Sequence, residues 1–187
     1  MRKLWFSIAL VTILVLAFSG YKIKAKDDDN GVRLRAIASL DSFQETPPKF
    51  TIGQGRFTAR LNEDRTELQF RLVYRGLTGK ANVAHIHSEH FGIAGSVFIF
   101  LCGGGGKPAC PDGTEGEVTG TITAADVLAL PTQGLDAGDF AAALRAIRSG
   151  STYANVHTTR FPGGEIRGQI HVRPVRDDNS NGDSSEP

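Results

Sequence analysis

Short stretches of alternating apolar and polar residues recur along most of this 187-residue chain, with turn-forming residues between them. The clearest stretch places Leu68, Phe70, Leu72 and Tyr74 between polar or charged neighbours. Because successive side chains of a strand point to opposite faces, this alternation predicts a strand with one buried face. Further strands are predicted at 34–40, 56–61, 81–87, 96–101, 117–123, 152–158 and 165–172. About eight short strands with tight turns indicate an all-β fold, either a β-sandwich or a Greek-key barrel.

Two short helices are predicted between the last strands. Thr123 is a candidate N-cap for a helix over 124–130, which Pro131 would end. Asp139 is the candidate N-cap of a second helix over 140–149. Its i, i+4 and i+7 positions form one apolar face, made of Phe140, Leu144 and Ile147.

The two ends of the chain differ from its body. Residues 1–25 hold a basic start followed by an uncharged, mostly apolar run over 4–20, which predicts a secretory signal peptide. The run also approaches the length of a membrane span, so an uncleaved N-terminal membrane anchor is the alternative. A polar linker is predicted at 26–32, one β domain at 33–173, and a disordered polar tail at 174–187.

The charge of the chain gives no sign of a nucleic-acid partner. Removing residues 1–25 takes away Arg2, Lys3, Lys22 and Lys24, which leaves 17 basic and 20 acidic residues and a net charge of −3. Nucleic-acid affinity depends on clustered Lys and Arg, and the body has no such cluster in its sequence. Contact with a membrane is expected only through the N-terminal segment.

Cys102 and Cys110 are the only cysteines of the chain, and a glycine-rich stretch separates them. Disulfides persist outside the cytoplasm, where an exported domain would fold. The flexible stretch would let the two sulfurs meet, so the sequence predicts a Cys102–Cys110 disulfide.

Two histidines share one face of a predicted strand. His85 and His87 occupy positions i and i+2, about 6.5–7 Å apart along the chain, and such imidazoles can bind one metal ion. His157, in another predicted strand, is the best candidate for a third ligand, and His90 is a loop-borne alternative. Zinc and copper both accept imidazole sets, so Cu or Zn is the possible cofactor.

A purely structural role for these histidines is the competing interpretation. Histidines of a β-core also hydrogen-bond to backbone carbonyls or to polar side chains such as Glu165 or Asn155. Glu165 and Arg167 share a strand face after a Pro162–Gly164 hairpin turn, so Asn155, Glu165 and Arg167 are predicted to form a polar network. No Ser-His-Asp or Cys-His arrangement can be located from spacing, so an enzyme is not the favoured interpretation.

Three segments together resemble a known family. They are 84–87 (AHIH), 97–103 (VFIFLCG) and 153–170 (YANVHTTRFPGGEIRGQI). They resemble the CHRD domain, named after chordin and widespread in bacterial proteins that are secreted or anchored to a membrane. The resemblance covers about 34–172 and includes His85, His87, Asn155, His157, Glu165 and Arg167.

The resemblance implies an immunoglobulin-like β-sandwich with a distant likeness to copper-zinc superoxide dismutases. It also implies an extracellular binding role, as in chordin, and it brings no agreed catalytic residues. The pair His85 and His87 matches the dismutase H-x-H, whereas the remaining dismutase ligands and their aspartate are not recognisable.

These features predict an extracytoplasmic protein that is secreted, periplasmic or anchored by its N-terminal segment. The favoured function is a non-enzymatic interaction module for an unassigned protein or ligand. The alternative is a Cu- or Zn-binding domain, which includes a domain of the superoxide-dismutase type, and a third interpretation is a structural component of the cell envelope.

Overall fold

The computed structural model describes residues 33–175, which form nine β-strands and one α-helix. The strands are β1 (Arg33–Asp41), β2 (Gln54–Leu61), β3 (Leu68–Arg75), β4 (Ala81–Ser88), β5 (Ser96–Cys102), β6 (Gly116–Ile122), β7 (Thr152–Thr158), β8 (Ile166–Gln169) and β9 (His171–Val175). The helix α1 spans Phe140–Arg148, and two single-turn 3-10 helices span Ala124–Asp126 and Pro131–Gln133.

The strands form one antiparallel sheet that curls into a nearly closed barrel. The strand order is β5-β4-β7-β8-β1-β2-β3-β6, and β9 continues beside β1 where β8 ends. The two edge strands, β5 and β6, approach each other, which brings the ends of the sheet together. The prediction of an all-β sandwich or barrel is therefore confirmed.

The last predicted strand is divided into two. The sequence predicts one strand over 165–172, whereas the structure has β8 and β9 on either side of Ile170. Ile170 is fully buried, and its N–H donates to the carbonyl of Thr152. The chain leaves β7 at this point and continues along β1 alone, so the number of strands is nine rather than eight.

Of the two predicted helices, only the second is an α-helix. In α1 the Asp139 side chain accepts from the N–H of Ala142 at 2.8 Å, and the predicted apolar face is buried. The segment 124–130 instead forms a single 3-10 turn, because Val127 adopts an extended conformation and turns into the core. Pro131 does not end a helix there but occupies the first turn of the next 3-10 helix.

The interior of the barrel is apolar and is filled by alternate residues of the strands. The largest fully buried side chains of the described residues are Phe57, Leu68, Leu72, Tyr74, Ile86, Phe98, Ile99, Leu101, Ile122, Ile147, Ile166 and Ile170, of which Ile147 belongs to α1. Burial of each such side chain stabilises the fold by about 1.5–3 kcal/mol, so this interior is the main source of stability.

The predicted disulfide is present. Cys102, the last residue of β5, is bonded to Cys110, and their Cα atoms are 5.0 Å apart. Within the loop that the bond closes, Lys107 Nζ lies 2.7 Å from the Asp126 carboxylate and donates to the carbonyl of Thr121. The loop is therefore tied both to β5 and to the 3-10 turn that follows β6.

The predicted signal peptide or anchor and the polar linker lie outside the described residues, as does the tail beyond Val175. Strand β9 extends two residues into the region predicted as tail. Between residues 33 and 175, no helix has the length and apolar character that crossing a membrane requires.

Candidate metal centre

The three predicted metal-binding histidines lie on the outer face of the sheet, opposite the apolar interior. Strands β4 and β7 pair so that His85 stands opposite Asn155 and His87 opposite Tyr153. The residues between them on the two strands, such as Ile86 and Ala154, point into the core. Strand alternation therefore turns the histidines away from the core, where loops rather than strands must cover them.

Two loops bury this outer face. The β1–β2 loop (residues 42–53) contacts it through Glu45, which accepts a hydrogen bond of 2.6 Å from Asn155. The β4–β5 loop (residues 89–95) contacts it through Gly95, whose carbonyl lies 3.0 Å from His87 Nδ1. As a result His85, His87 and His157 are only 6%, 7% and 8% exposed.

The three histidines converge on one point. One ligand nitrogen from each lies within 4.8 Å of the other two. Three atoms with that spacing fit within about 2.8 Å of a common centre, the circumradius of an equilateral triangle of that side. Metal–imidazole bonds measure about 2.0–2.1 Å, so small rotations of the rings would complete a three-nitrogen site.

The closest approach in the cluster is between His85 Nδ1 and His87 Nε2, which are 3.2 Å apart. Two nitrogens that bind one tetrahedral ion at 2.0–2.1 Å stand about 3.3 Å apart. In the metal-free protein this contact is a hydrogen bond that His85 Nδ1 donates, because His87 Nε2 carries the lone pair. The two nitrogens have the separation of two ligands of one ion, and they can bind together once the His85 proton moves to its other nitrogen. The pairing of β4 with β5 is irregular at both positions, with register shifts between Ala84 and His85 and between Ile86 and His87. The two ring centroids are 5.1 Å apart, with the rings edge to face.

Backbone carbonyls determine which nitrogen of two histidines is free to bind. His87 Nδ1 faces the carbonyl of Gly95, and His157 Nδ1 lies 2.8 Å from the carbonyl of Pro162. A carbonyl only accepts, so both Nδ1 atoms carry the proton and both Nε2 atoms carry a lone pair. A carbonyl behind the non-ligating nitrogen is the usual support of a metal-binding histidine.

His157 Nε2 is buried and has no hydrogen-bond partner in the protein. A buried acceptor without a partner costs about 1–3 kcal/mol, so such atoms are rare unless a ligand uses them. His157 belongs to the cluster of three, and its Nδ1 faces the Pro162 carbonyl, so Nε2 is the His157 atom that is left to bind an ion.

All three imidazoles are held neutral. Burial, followed by the neighbouring His157 and His87, lowers the pKa of His85 to about 3. Burial likewise lowers the pKa of His87 to about 4, although the hydrogen bond to the Gly95 carbonyl acts to raise it. Burial also lowers the pKa of His157. Neutral imidazole is the form that binds metal ions.

Aromatic rings enclose the cluster. The Phe100 ring meets His85 edge-on with centroids 4.9 Å apart, and the Tyr153 ring stacks on His87 with centroids 4.7 Å apart. The Tyr153 hydroxyl accepts from the N–H of Gly95 at 3.0 Å. Tyr153 and Gly95 thus hold the His87 ring from two sides.

Arg167 forms hydrogen bonds to both of the loops that cover the histidine cluster. Its guanidinium donates to the carbonyl of Gln44 and to the Thr46 hydroxyl in the β1–β2 loop. It also donates to the carbonyl of Ile93 in the β4–β5 loop at 3.0 Å and lies over the Tyr153 ring at 4.8 Å. Since these donors are engaged and Arg167 is buried, its function here is to position the loops.

The other two residues of the predicted polar network have different partners. Asn155 donates to the Glu45 carboxylate and to the carbonyl of Ile166. Glu165 does not reach toward Arg167; its carboxylate accepts from the N–H of Thr78 and from the Thr158 hydroxyl, each at 2.8 Å. The network therefore consists of two separate parts, one around Glu45 and Arg167 and one around Glu165.

Two further histidines stay apart from the cluster. His90 is exposed in the β4–β5 loop and His171 is exposed at the start of β9, and neither belongs to the metal-competent group. The sequence patterns do not single out Gly95, Tyr153 or Glu45 as site residues. The i+2 spacing from Tyr153 to Asn155 and His157 was a usable signal, whereas nothing local marks Gly95 or Glu45.

Comparison with known proteins adds a family assignment to this geometry. The family model described as the CHRD domain matches residues 36–170, which cover most of the chain and contain all three histidines of the cluster. Neither the curated proteins nor the solved structures include a significant match. The match agrees with the resemblance carried by the AHIH and YANVHTTRFPGGEIRGQI segments. This chain therefore belongs to the CHRD domain family.

Proposed function

We propose that this CHRD domain is an extracytoplasmic, non-enzymatic binding module whose ligand is a transition-metal ion held by His85, His87 and His157. The observation that carries the proposal is the convergence of three buried, neutral imidazoles with one unpartnered nitrogen. Imidazole sets of this kind suit copper and zinc. The Gly95 and Pro162 carbonyls supply the orientation that such ligands need.

Metal titration of the tag-free full chain tests this function. We expect one ion of Cu or Zn per chain, and stabilisation of about 2.7 kcal/mol when free metal is 100-fold above Kd. His87→Gln and His157→Gln should each abolish most of this metal-dependent stabilisation, because each variant lacks one of the three ligands. His171→Gln is the matched control, since His171 is an exposed histidine outside the cluster. Equal stabilisation in all four proteins would contradict the proposal.

The extracytoplasmic location is a separate part of the proposal. It is supported by the disulfide, which persists in oxidising compartments, and by the signal-like N-terminal sequence. Fractionation of cells that express the full chain, with mass measurement of its N-terminus, tests it. Recovery of the protein in the cytoplasm with reduced cysteines would contradict it.

A second candidate function is the binding of another extracytoplasmic protein. Five large apolar side chains are exposed on the two loops that cover the histidines: Phe43, Phe50, Ile52, Phe91 and Ile93. Phe50 and Ile52 are 90% and 83% exposed, and exposed apolar clusters often mark interaction surfaces. Capture of a partner protein from an envelope extract should be lost in the double variant Phe50→Ser with Ile52→Ser. It should persist in Leu128→Ser, which alters an exposed leucine outside both loops.

A further inference from the structure

We infer that the tri-histidine site selects Cu(I) over Cu(II) and Zn(II). This inference rests on the proposed metal-binding function and names the ion that the same site takes. Three features of the described residues support it: the charge of the ligand set, the charge beside it, and the number of ligands.

The ligand set carries no negative charge. Among the described residues, the group that can hold an ion contains three histidines and no cysteine, aspartate or glutamate. The groups behind His87 and His157 are backbone carbonyls, which are also uncharged. The free energy cost of burying a charge grows with its square, so a divalent ion in this enclosure costs about four times as much as a monovalent ion.

The charged side chain stacked beside the cluster is a cation. The Arg167 guanidinium lies 4.8 Å from the centroid of the Tyr153 ring, and His87 stacks on the same ring with centroids 4.7 Å apart. Positive potential from Arg167 disfavours a second positive charge at His87, and it does so twice as strongly for a divalent ion as for Cu(I). The Glu45 carboxylate belongs to the same outer face, and it accepts a hydrogen bond from Asn155.

The number of ligands points to the same ion. Structural zinc sites are closed by four ligands, and zinc sites with three protein ligands keep a fourth position open to water or substrate. The described residues place three ligand side chains here, only 6–8% exposed under the two loops. The side chains that flank the cluster are the rings of Phe100 and Tyr153, and neither is a carboxylate or thiolate. Imidazole suits copper as well as zinc, so the ligand type alone does not separate the ions. A monovalent d¹⁰ ion can be three-coordinate, so three buried imidazoles can complete its coordination without a fourth ligand.

Anaerobic competition measurements on the tag-free full chain test the selection. Cu(I) is titrated against a Cu(I)-specific chelator, and Cu(II) and Zn(II) are titrated against chelators of known affinity. We expect Cu(I) to bind at least 100-fold more tightly than either divalent ion. Divalent binding that equals or exceeds Cu(I) binding would overturn the selection and leave metal binding intact. Failure of all three ions to bind would overturn both.

A charge-insertion variant tests the physical reason for the selection. Phe100→Glu places a carboxylate on β5 directly opposite His85, at a position that is only partly buried. The added negative charge should reduce the preference for Cu(I) over Zn(II) by at least tenfold. Gln69→Glu is the matched control, because it adds the same charge to an exposed position on β3. An unchanged preference in Phe100→Glu with a normal fold would overturn the electrostatic basis.

Discussion

At the scale of single residues, Glu45 of the β1–β2 loop is a carboxylate that is buried against the outer face of the sheet. Glu45 is 5% exposed, and its carboxylate accepts from Asn155 on β7. Burial raises the pKa of Glu45, while Asn155 and the Arg167 charge act in the opposite direction. The ionised form of Glu45 is therefore less favoured in the folded chain than in the unfolded chain.

This shift predicts a pH dependence of stability that Glu45→Gln removes. A carboxyl whose folded pKa is raised contributes stability that is complete below the unfolded pKa and is lost as pH rises through the folded pKa. The free energy of unfolding of the wild type, relative to Glu45→Gln, should therefore fall as the pH rises above the unfolded pKa of about 4.3 and through the higher folded pKa. Urea unfolding of both proteins across this range measures the difference.

Glu115→Gln is the matched control, because it changes an exposed carboxylate in the same way. A difference between wild type and Glu45→Gln that stays constant or grows with pH would contradict the assignment. Such a result would mean that Asn155 and Arg167 outweigh the burial of Glu45.

At the scale of elements, strand alternation predicts part of the site and loop geometry decides the rest. The i, i+2 spacing is sufficient to place His85 and His87 on one face, and the same rule applies within β7. It is not sufficient to tell which face is the core, because both faces of β7 are buried. Burial of the outer face comes from loops whose path depends on Arg167, a contact between residues more than 70 positions apart in sequence.

The β4–β5 loop provides a test of this dependence on loop geometry. A Cβ on Gly95 would lie 2.3 Å from the Ser88 carbonyl oxygen, so Gly95→Ala must move the loop. The hydrogen bond between the Gly95 carbonyl and His87 Nδ1 would then be lost. The hydrogen bond from the Gly95 N–H to the Tyr153 hydroxyl would be lost as well. We expect metal affinity to fall about 10–100-fold, as when other supporting partners of metal ligands are removed.

Gly92→Ala is the control within the same loop. A Cβ at this position would have open space around it, although its φ of 82° makes the change cost about 1–2 kcal/mol in stability. Metal affinity should stay at the wild-type value in this variant. Competition titration of both proteins, with thermal unfolding in the absence of metal, separates loss of the site from loss of the fold.

For the whole molecule, the fold class follows from the sequence, and the closure of the barrel does not. Strand periods and turn residues predict the all-β class, because they are local properties. The approach of β5 to β6, and the division of the last strand at Ile170, depend on how far the entire sheet curls. The convergence of His157 with His85 and His87 has the same origin, since it needs the pairing of β4 with β7.

The Cys102–Cys110 disulfide should stabilise the molecule with little effect on the histidine cluster. The bond joins cysteines eight positions apart, so its removal in Cys102→Ala with Cys110→Ala should lower the free energy of unfolding by about 2–3 kcal/mol. Gly104 and Gly105 of this loop lie against the Phe100 ring, which in turn meets His85. The tautomers of His87 and His157 depend on the Gly95 and Pro162 carbonyls instead, and these lie outside the loop.

Metal affinity in the double variant should therefore change by no more than about threefold. Urea unfolding and competition titration on the same preparations measure the two effects, and wild-type protein treated with a reductant should match the variant in stability. A large loss of affinity with a small loss of stability would mean that the Phe100 contact, rather than the two carbonyls, holds the cluster together. The ion pair between Lys107 and Asp126 remains in the variant and keeps the loop close to β6, which is why we expect the cluster to survive.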